Sequence, residues 1–149
     1  MSRAGYYDEG DDGNWSLICW RGAVASAMRG KKGQAFLREL RDALDAMPEK
    51  RLIAEDLEKE TAYVGVDGDP PTTKVEACAL GVVARRRGID VSALDAHDYD
   101  AIHAPFGISN ALAREIIWEN DESFPYPKTP EERWRKMRWW VEANIKRGP

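Results

Sequence analysis

Phe36, Leu37, Leu40, Ala43, Leu44 and Met47 recur at helical spacing, and no other feature constrains the fold of this chain so tightly. Arg38, Glu39, Arg41, Asp42 and Asp45 fill the positions between them. A stripe of that period buries one face of a helix and leaves the other to solvent. Pro48 cannot continue the helix, having no N–H to donate. The pattern predicts an amphipathic helix over about Gln34 to Met47, one that requires other elements against its apolar face.

Weaker signals of the same kind run along the rest of the chain. Asn14 can cap a helix over about Trp15 to Met28, whose Gly22, Ala23, Ala25, Ser26 and Ala27 would let a neighbour approach closely. Arg29-Gly30-Lys31-Lys32-Gly33 reads as its end, with glycines to turn and cations to meet the helix dipole. Val75, Cys78, Ala79, Val82 and Val83 predict a helix over Lys74 to Arg87, stopped at Gly88. A short helix near Asp98 to Ala104 follows, then a turn at Pro105-Phe106-Gly107-Ile108, then a helix capped by Ser109 and running to about Asn120. Thr129-Pro130-Glu131-Glu132 starts a last helix, to about Lys146, with threonine at the cap and proline at the first position. Arg51 to Val66 stays open between a short helix and a strand, because Thr61-Ala-Tyr-Val-Gly-Val66 has strand composition. Asp67-Gly-Asp-Pro-Pro-Thr-Thr73 reads as a loop.

The expected fold class is all-α or nearly so: a single-domain bundle of about five or six helices, with room for one minor β-hairpin within residues 51–66. Residues 1–13, carrying Asp8, Glu9, Asp11 and Asp12, read as a flexible acidic N-terminal arm, and 14–149 as the helical domain. Six tryptophans in 149 residues require a core and exclude disorder throughout. A net charge of −4 means that no global field draws the chain onto nucleic acid or anionic membrane, so such binding needs a local basic patch. Cys19 and Cys78, each in an apolar stretch, read as buried thiols in a reducing compartment. No apolar run is long enough for a membrane span, and the acidic start is unlike a signal peptide. The expected location is cytoplasmic.

Several strings occur together: Trp20-Arg-Gly-Ala-Val24, Met47-Pro-Glu-Lys-Arg-Leu-Ile53, Cys78-Ala-Leu-Gly81 with Arg87-Gly-Ile-Asp90, Phe106-Gly-Ile108 with Arg114-Glu-Ile116 and Glu119-Asn-Asp-Glu122, and Thr129-Pro-Glu-Glu-Arg-Trp134 leading to Trp140-Val141. With them the chain resembles small uncharacterised proteins encoded by tailed bacteriophages and prophages of Gram-negative bacteria. The resemblance covers nearly everything except the acidic arm and Glu58 to Thr73. It implies a phage accessory protein at work in a bacterial host cell, and it implies no activity for any residue.

The candidate sites each have a structural alternative. A helix-turn-helix over 98–120 would direct Ser109, Asn110 and Arg114 at the major groove, assisted by Lys31 and Lys32. Glu115, Glu119, Asp95, Asp98 and Asp100 would repel phosphate there, and a plain helical corner has the same outline. Arg29, Lys31, Lys32, Arg38 and Arg41 could meet a phosphate backbone, or simply end one helix and solvate the next. In the last helix Trp134, Met137, Val141 and Ile145 share a core face, with Trp140 at its edge. Trp139 falls well outside that face, among Arg135, Glu142 and Lys146. It therefore lies under Arg135 as a cation–π pair, or anchors another chain. Trp118 sits opposite Leu112, Ala113 and Ile116, which makes it a second interface residue or marks a helix packed on two sides. Glu115, Glu119, Asp121 and Glu122 with His97 and His103 lack the spacing of a metal or acid–base site, and neither cysteine nor any serine stands in a nucleophile motif.

The expected function is that of a non-catalytic phage accessory protein, not an enzyme, without metal or cofactor. It would occupy a host protein or protein complex, inhibiting host machinery or antiviral defence, through Trp139, Arg135, Lys146 and Trp118. Homodimerisation through Trp139 is a further expectation. The alternative is a DNA-binding regulator using Ser109, Asn110, Arg114, Lys31 and Lys32.

Overall fold

The structure is a computed structural model that describes residues 12–147, with side chains from Ile18 onward. Most of the expected acidic arm, and the side chains of Asn14 and Trp15, lie outside the described residues. Among the described residues there are five α-helices and one hairpin: α1 (Asp12–Arg29), α2 (Lys31–Ala46), β1 (Glu58–Tyr63), β2 (Thr72–Ala77), α3 (Ala79–Arg87), α4 (Asn110–Asp121) and α5 (Pro130–Asn144). The mostly helical class with a minor antiparallel hairpin is as expected.

α2 is the centre. Leu37, Leu40 and Leu44 have no exposed surface, and the helix packs against α1, α3 and α5. α4 closes the other side, packing on α1, α3 and α5 and contributing Leu112, Ala113 and Ile116 to the same core. Met137, Trp140 and Val141 of α5 complete it, with Trp134 and Ile145 partly buried beside them. Trp20 and Val24 of α1 form a small separate cluster under Met28 and Ala111.

Two buried amides fasten segments that are far apart in sequence. Gln34 donates to the carbonyls of Met28 (2.6 Å) and Asn144 (3.0 Å) and accepts from the Lys146 backbone N–H (2.8 Å). It thus ties the end of α5 to the α1–α2 junction. Asn120 accepts from Ala79 N–H, the first of α3, at 3.1 Å and donates to the Ile53 carbonyl at 2.8 Å. Neither residue lies on a stripe that announces its burial.

Several expectations are corrected. The helix expected from Lys74 begins only at Ala79, because Thr72–Ala77 pairs with Glu58–Tyr63 in antiparallel register from Tyr63↔Thr72 to Glu58↔Ala77. The β-branched Thr72, Thr73 and Val75 favour that extended pairing. The hairpin therefore reaches beyond residue 66, its turn lying around Asp67 and Gly68, both at positive φ. Asp98 to Ala104 is not a helix. One i→i+4 bond, from Ile102 N–H to Asp98, stands beside tight i→i+3 turns from Ala101 N–H to Asp98 and from Ala104 N–H to Ala101, which lead into a single 3-10 turn at Ala104–Phe106. Pro105 has no N–H for the Ala101 carbonyl, which removes one i→i+4 bond at the end of this stretch. Lys31 and Lys32 do not belong to a linker but open α2, and α5 ends at Asn144 rather than Lys146. Finally, Cys19 is exposed; only Cys78 is a buried thiol, pushed up to about 12 by burial.

Two bidentate ion pairs brace the bundle. Arg87 meets both carboxylate oxygens of Glu39 (2.7 and 2.5 Å), and Arg138 meets both of Asp45 (2.7 and 3.0 Å). The hydrogen bonds from Arg87 hold Glu39 below its ordinary value of 4.5. A carboxylate depressed on folding contributes stability that is complete above its ordinary value and is lost as pH falls through the folded value. Glu39→Gln is therefore expected to flatten the loss of stability below about pH 4.5, seen in urea denaturation at about pH 7 and about pH 3. An acid limb as steep as that of the parent chain would contradict it.

Candidate partner-binding groove

The segment between α4 and α5 reads Ser123-Phe-Pro-Tyr-Pro-Lys-Thr129. Alternate prolines remove N–H donors and keep it out of a helix. Both of its ends are fastened. Ser123 N–H donates to the Trp118 carbonyl (3.0 Å) and its hydroxyl to that of Glu119 (3.1 Å). Lys128 N–H donates to the Glu132 carboxylate (2.7 Å), while Thr129 Oγ1 accepts from Glu132 N–H (3.1 Å), which makes the threonine cap expected there and ties the residue before it to the same helix turn. Lys136 reaches over from α5 and donates to the carbonyls of Ser123 and Pro125, and burial lowers its ammonium below the ordinary value.

With the backbone so held, the aromatic side chains between these ties turn outward. Phe124 is 82% exposed, Tyr126 67% and Trp139 71%. Phe124 and Tyr126 meet edge to face with ring centroids 6.3 Å apart. They border a groove of about 650 Å³ whose other walls include Trp118, Trp139 and the nearly buried Trp140. Glu119, Lys128, Glu132 and Lys136 supply both signs of charge at its edges.

Trp118 and Trp139, singled out separately by angular position, thus share one groove. Their companions do not. Arg135 is exposed and lines no part of it. The cation–π contacts among the described residues fall on Trp134, Phe36 and Tyr99, so the Arg135–Trp139 stacking alternative is not found. Lys146 lies elsewhere, its Nζ donating to the Arg29 carbonyl at 2.8 Å. Phe124 and Tyr126 escape any reading by periodicity because they belong to no helix. The available signal was the alternation of aromatic residues with prolines.

The residues of the DNA-binding alternative are differently engaged. Ser109 Oγ accepts from Leu112 N–H (3.1 Å), the cap expected of it. Asn110 accepts from Arg114 (2.9 Å), and Arg114 also donates to Asp100 (2.6 Å) and lies over the Tyr99 ring. Arg114 is thereby directed at its own domain, and the helix that should precede α4 in a helix-turn-helix is not formed. Lys31 and Lys32 are exposed and share a cleft with Ser109. Glu115 is buried, Glu119 borders the aromatic groove, His97 stands beside Asp95, and His103 Nδ1 lies 3.0 Å from the Ile108 carbonyl. No three His, Cys, Asp or Glu side chains among the described residues gather as a metal-ligand set. No described helix is long and apolar enough to cross a membrane.

No protein-family model, curated protein or solved structure matches the chain.

Proposed function

We propose that this chain is a non-catalytic binding protein that seats a segment of a partner protein in the Trp118–Trp139 groove. One observation carries the reading: Phe124, Tyr126 and Trp139 expose their rings along a single groove on a backbone fastened at both ends. Contiguous exposed apolar surface has a solvation cost, and it is a recurrent mark of interaction sites. Rigid aromatic anchors lose little side-chain entropy on binding, and Trp and Tyr dominate the energetics of interfaces. The mixed charges at the edge suit the polar rim that surrounds such anchors. The resemblance to phage-encoded proteins supports a partner in a bacterial host, where occupying host machinery or a defence protein would inhibit it.

Trp139→Ala is expected to weaken partner capture from host extract by roughly tenfold or more. Its side chain is mostly solvent-exposed, so stability should move by only about 0.5 kcal/mol. Capture undiminished by the substitution would sink the reading. If the partner is a second copy of the chain, the solution mass of the parent protein will exceed that of a monomer and fall on Trp139→Ala.

A further inference from the structure

We propose a second, separate binding surface for the phosphodiester backbone of double-helical nucleic acid, at the end of the molecule where α1 stops, α2 starts and α5 stops. Gln34 assembles it by holding Asn144 and Lys146 against the α1–α2 junction. Lys146 Nζ then donates to the Arg29 carbonyl (2.8 Å), and Arg38 to the Lys146 carbonyl (3.3 Å). Arg29, Lys31, Lys32, Arg38, Lys146 and Arg147 are brought to one end, and all six are exposed.

This end is unlike the rest of an acidic chain. Elsewhere seven described arginines and lysines are held in ion pairs: Arg41 by Asp42, Arg51 by Glu76 and Glu131, Lys74 by Glu49, Arg85 by Glu58, Arg87 by Glu39, Arg114 by Asp100 and Arg138 by Asp45. Among the described residues, none of these ion pairs includes any of the six. Folding explains some of them, because Arg29 and Lys146 lie near helix C-termini, where cations are favoured. Lys31 and Lys32 have no such explanation. They occupy the first turn of α2, at the positive end of its dipole, and no acidic residue in that turn offsets them. Two adjacent cations placed against the helix dipole and left unpaired point to an external anion.

The occupant follows from charge complementarity and from what the surface lacks. Among the described residues, the exposed large apolar side chains lie at Ile18, around the hairpin and along the aromatic groove, not among these cations. A membrane-surface site would add apolar side chains that insert beside the basic ones. A single-strand site would add aromatic rings for bases to stack on. A duplex backbone needs only cations that meet successive phosphates, which fixes position without reading sequence. The surface does not include Arg114 or Asn110, and it is independent of the aromatic groove.

The test is fluorescence anisotropy of the full chain with two labelled DNA duplexes of unrelated sequence. Both should bind alike, and with about four phosphates contacted the affinity should fall roughly 100-fold between about 50 and about 200 mM salt. The double variant Lys31→Gln/Lys32→Gln should bind at least about tenfold more weakly at low salt while its Tm holds or rises, since removing cations from a helix N-terminus does not harm the fold. Lys59→Gln, which changes an exposed cation on β1, should leave duplex binding intact. No binding of either duplex at low salt overturns the proposal, as does binding that the double variant retains in full. Association with phosphatidylserine vesicles but not with duplex also overturns it, in favour of a membrane surface.

Discussion

Gly81→Ala is expected to destabilise the protein by about 3 kcal/mol, although alanine is the better helix former. A Cβ on Gly81 would lie far inside van der Waals contact with the Leu57 carbonyl and at 3.0 Å from the Ala77 Cβ. Neither neighbour can easily retreat. The Leu57 carbonyl accepts from Cys78 N–H at 3.1 Å, and Leu57 and Ala77 are both buried. α3 would have to move off the hairpin, breaking that bond and opening the core at Leu80 and Val83. Against a total stability typically of about 5–15 kcal/mol, the loss is a large fraction. Gly22→Ala is the matched control, because nothing stands within 4 Å of a Cβ there and the site is inside α1. It should leave stability unchanged or raise it by up to about 1 kcal/mol. Urea denaturation of the two variants gives the comparison, and equal midpoints would show that α3 and Leu57 are not in close contact.

Asn120→Leu should cost a similar amount, about 3 kcal/mol, for an electrostatic rather than a steric reason. Asn120 is 1% exposed, and leucine has the same branching and number of side-chain heavy atoms. The side chain that is lost accepts from Ala79 N–H and donates to the Ile53 carbonyl and to Asp121 (2.6 Å). Ala79 N–H is one of the N–H groups that a helix start cannot satisfy from within. Leucine leaves it and the Ile53 carbonyl buried without a partner, and each such group costs about 1–3 kcal/mol. The expected fall in Tm is about 10 °C. Hydrogen exchange localises the effect: the Ala79 amide should lose protection before the amides of α2 do. Exchange at Ala79 as slow as in the parent chain would refute the role assigned to Asn120.

These two predictions rest on residues that the sequence does not mark out, whereas much of the helical framework is legible in it. α2 follows from the stripe Phe36 to Leu44, α4 from its Ser109 cap, and α5 from Thr129-Pro130 with Glu132. Each signal is complete within a few residues, because caps, periods and proline breaks act through local backbone geometry. Val75 misleads for the opposite reason. It stands at helical distance from Cys78, yet it lies in β2, where the preference of Thr72 and Thr73 for extended backbone is reinforced by pairing with β1, Thr72 with Tyr63 and Val75 with Glu60. Asp98 to Ala104 contains helix-compatible residues, yet the chain makes a run of tight turns there, with the missing donor at Pro105 as the one local sign.

The amphipathic helices with which the chain announces itself were determined by the sequence alone: their faces, most of their ends, and the outward position of Trp139 on α5. Tertiary structure alone decided that Trp139 meets Trp118 across a groove with Phe124 and Tyr126, that Gln34 and Asn120 are buried ties, and that Lys146 joins Arg29 and Lys31 at one end. The division has a physical cause. A helix's period and caps are set by interactions over one or two turns, which a local stretch of sequence contains in full. Convergence of side chains and burial of amides depend on contacts between segments up to 117 positions apart, as between Lys146 and Arg29, and no local stretch contains those.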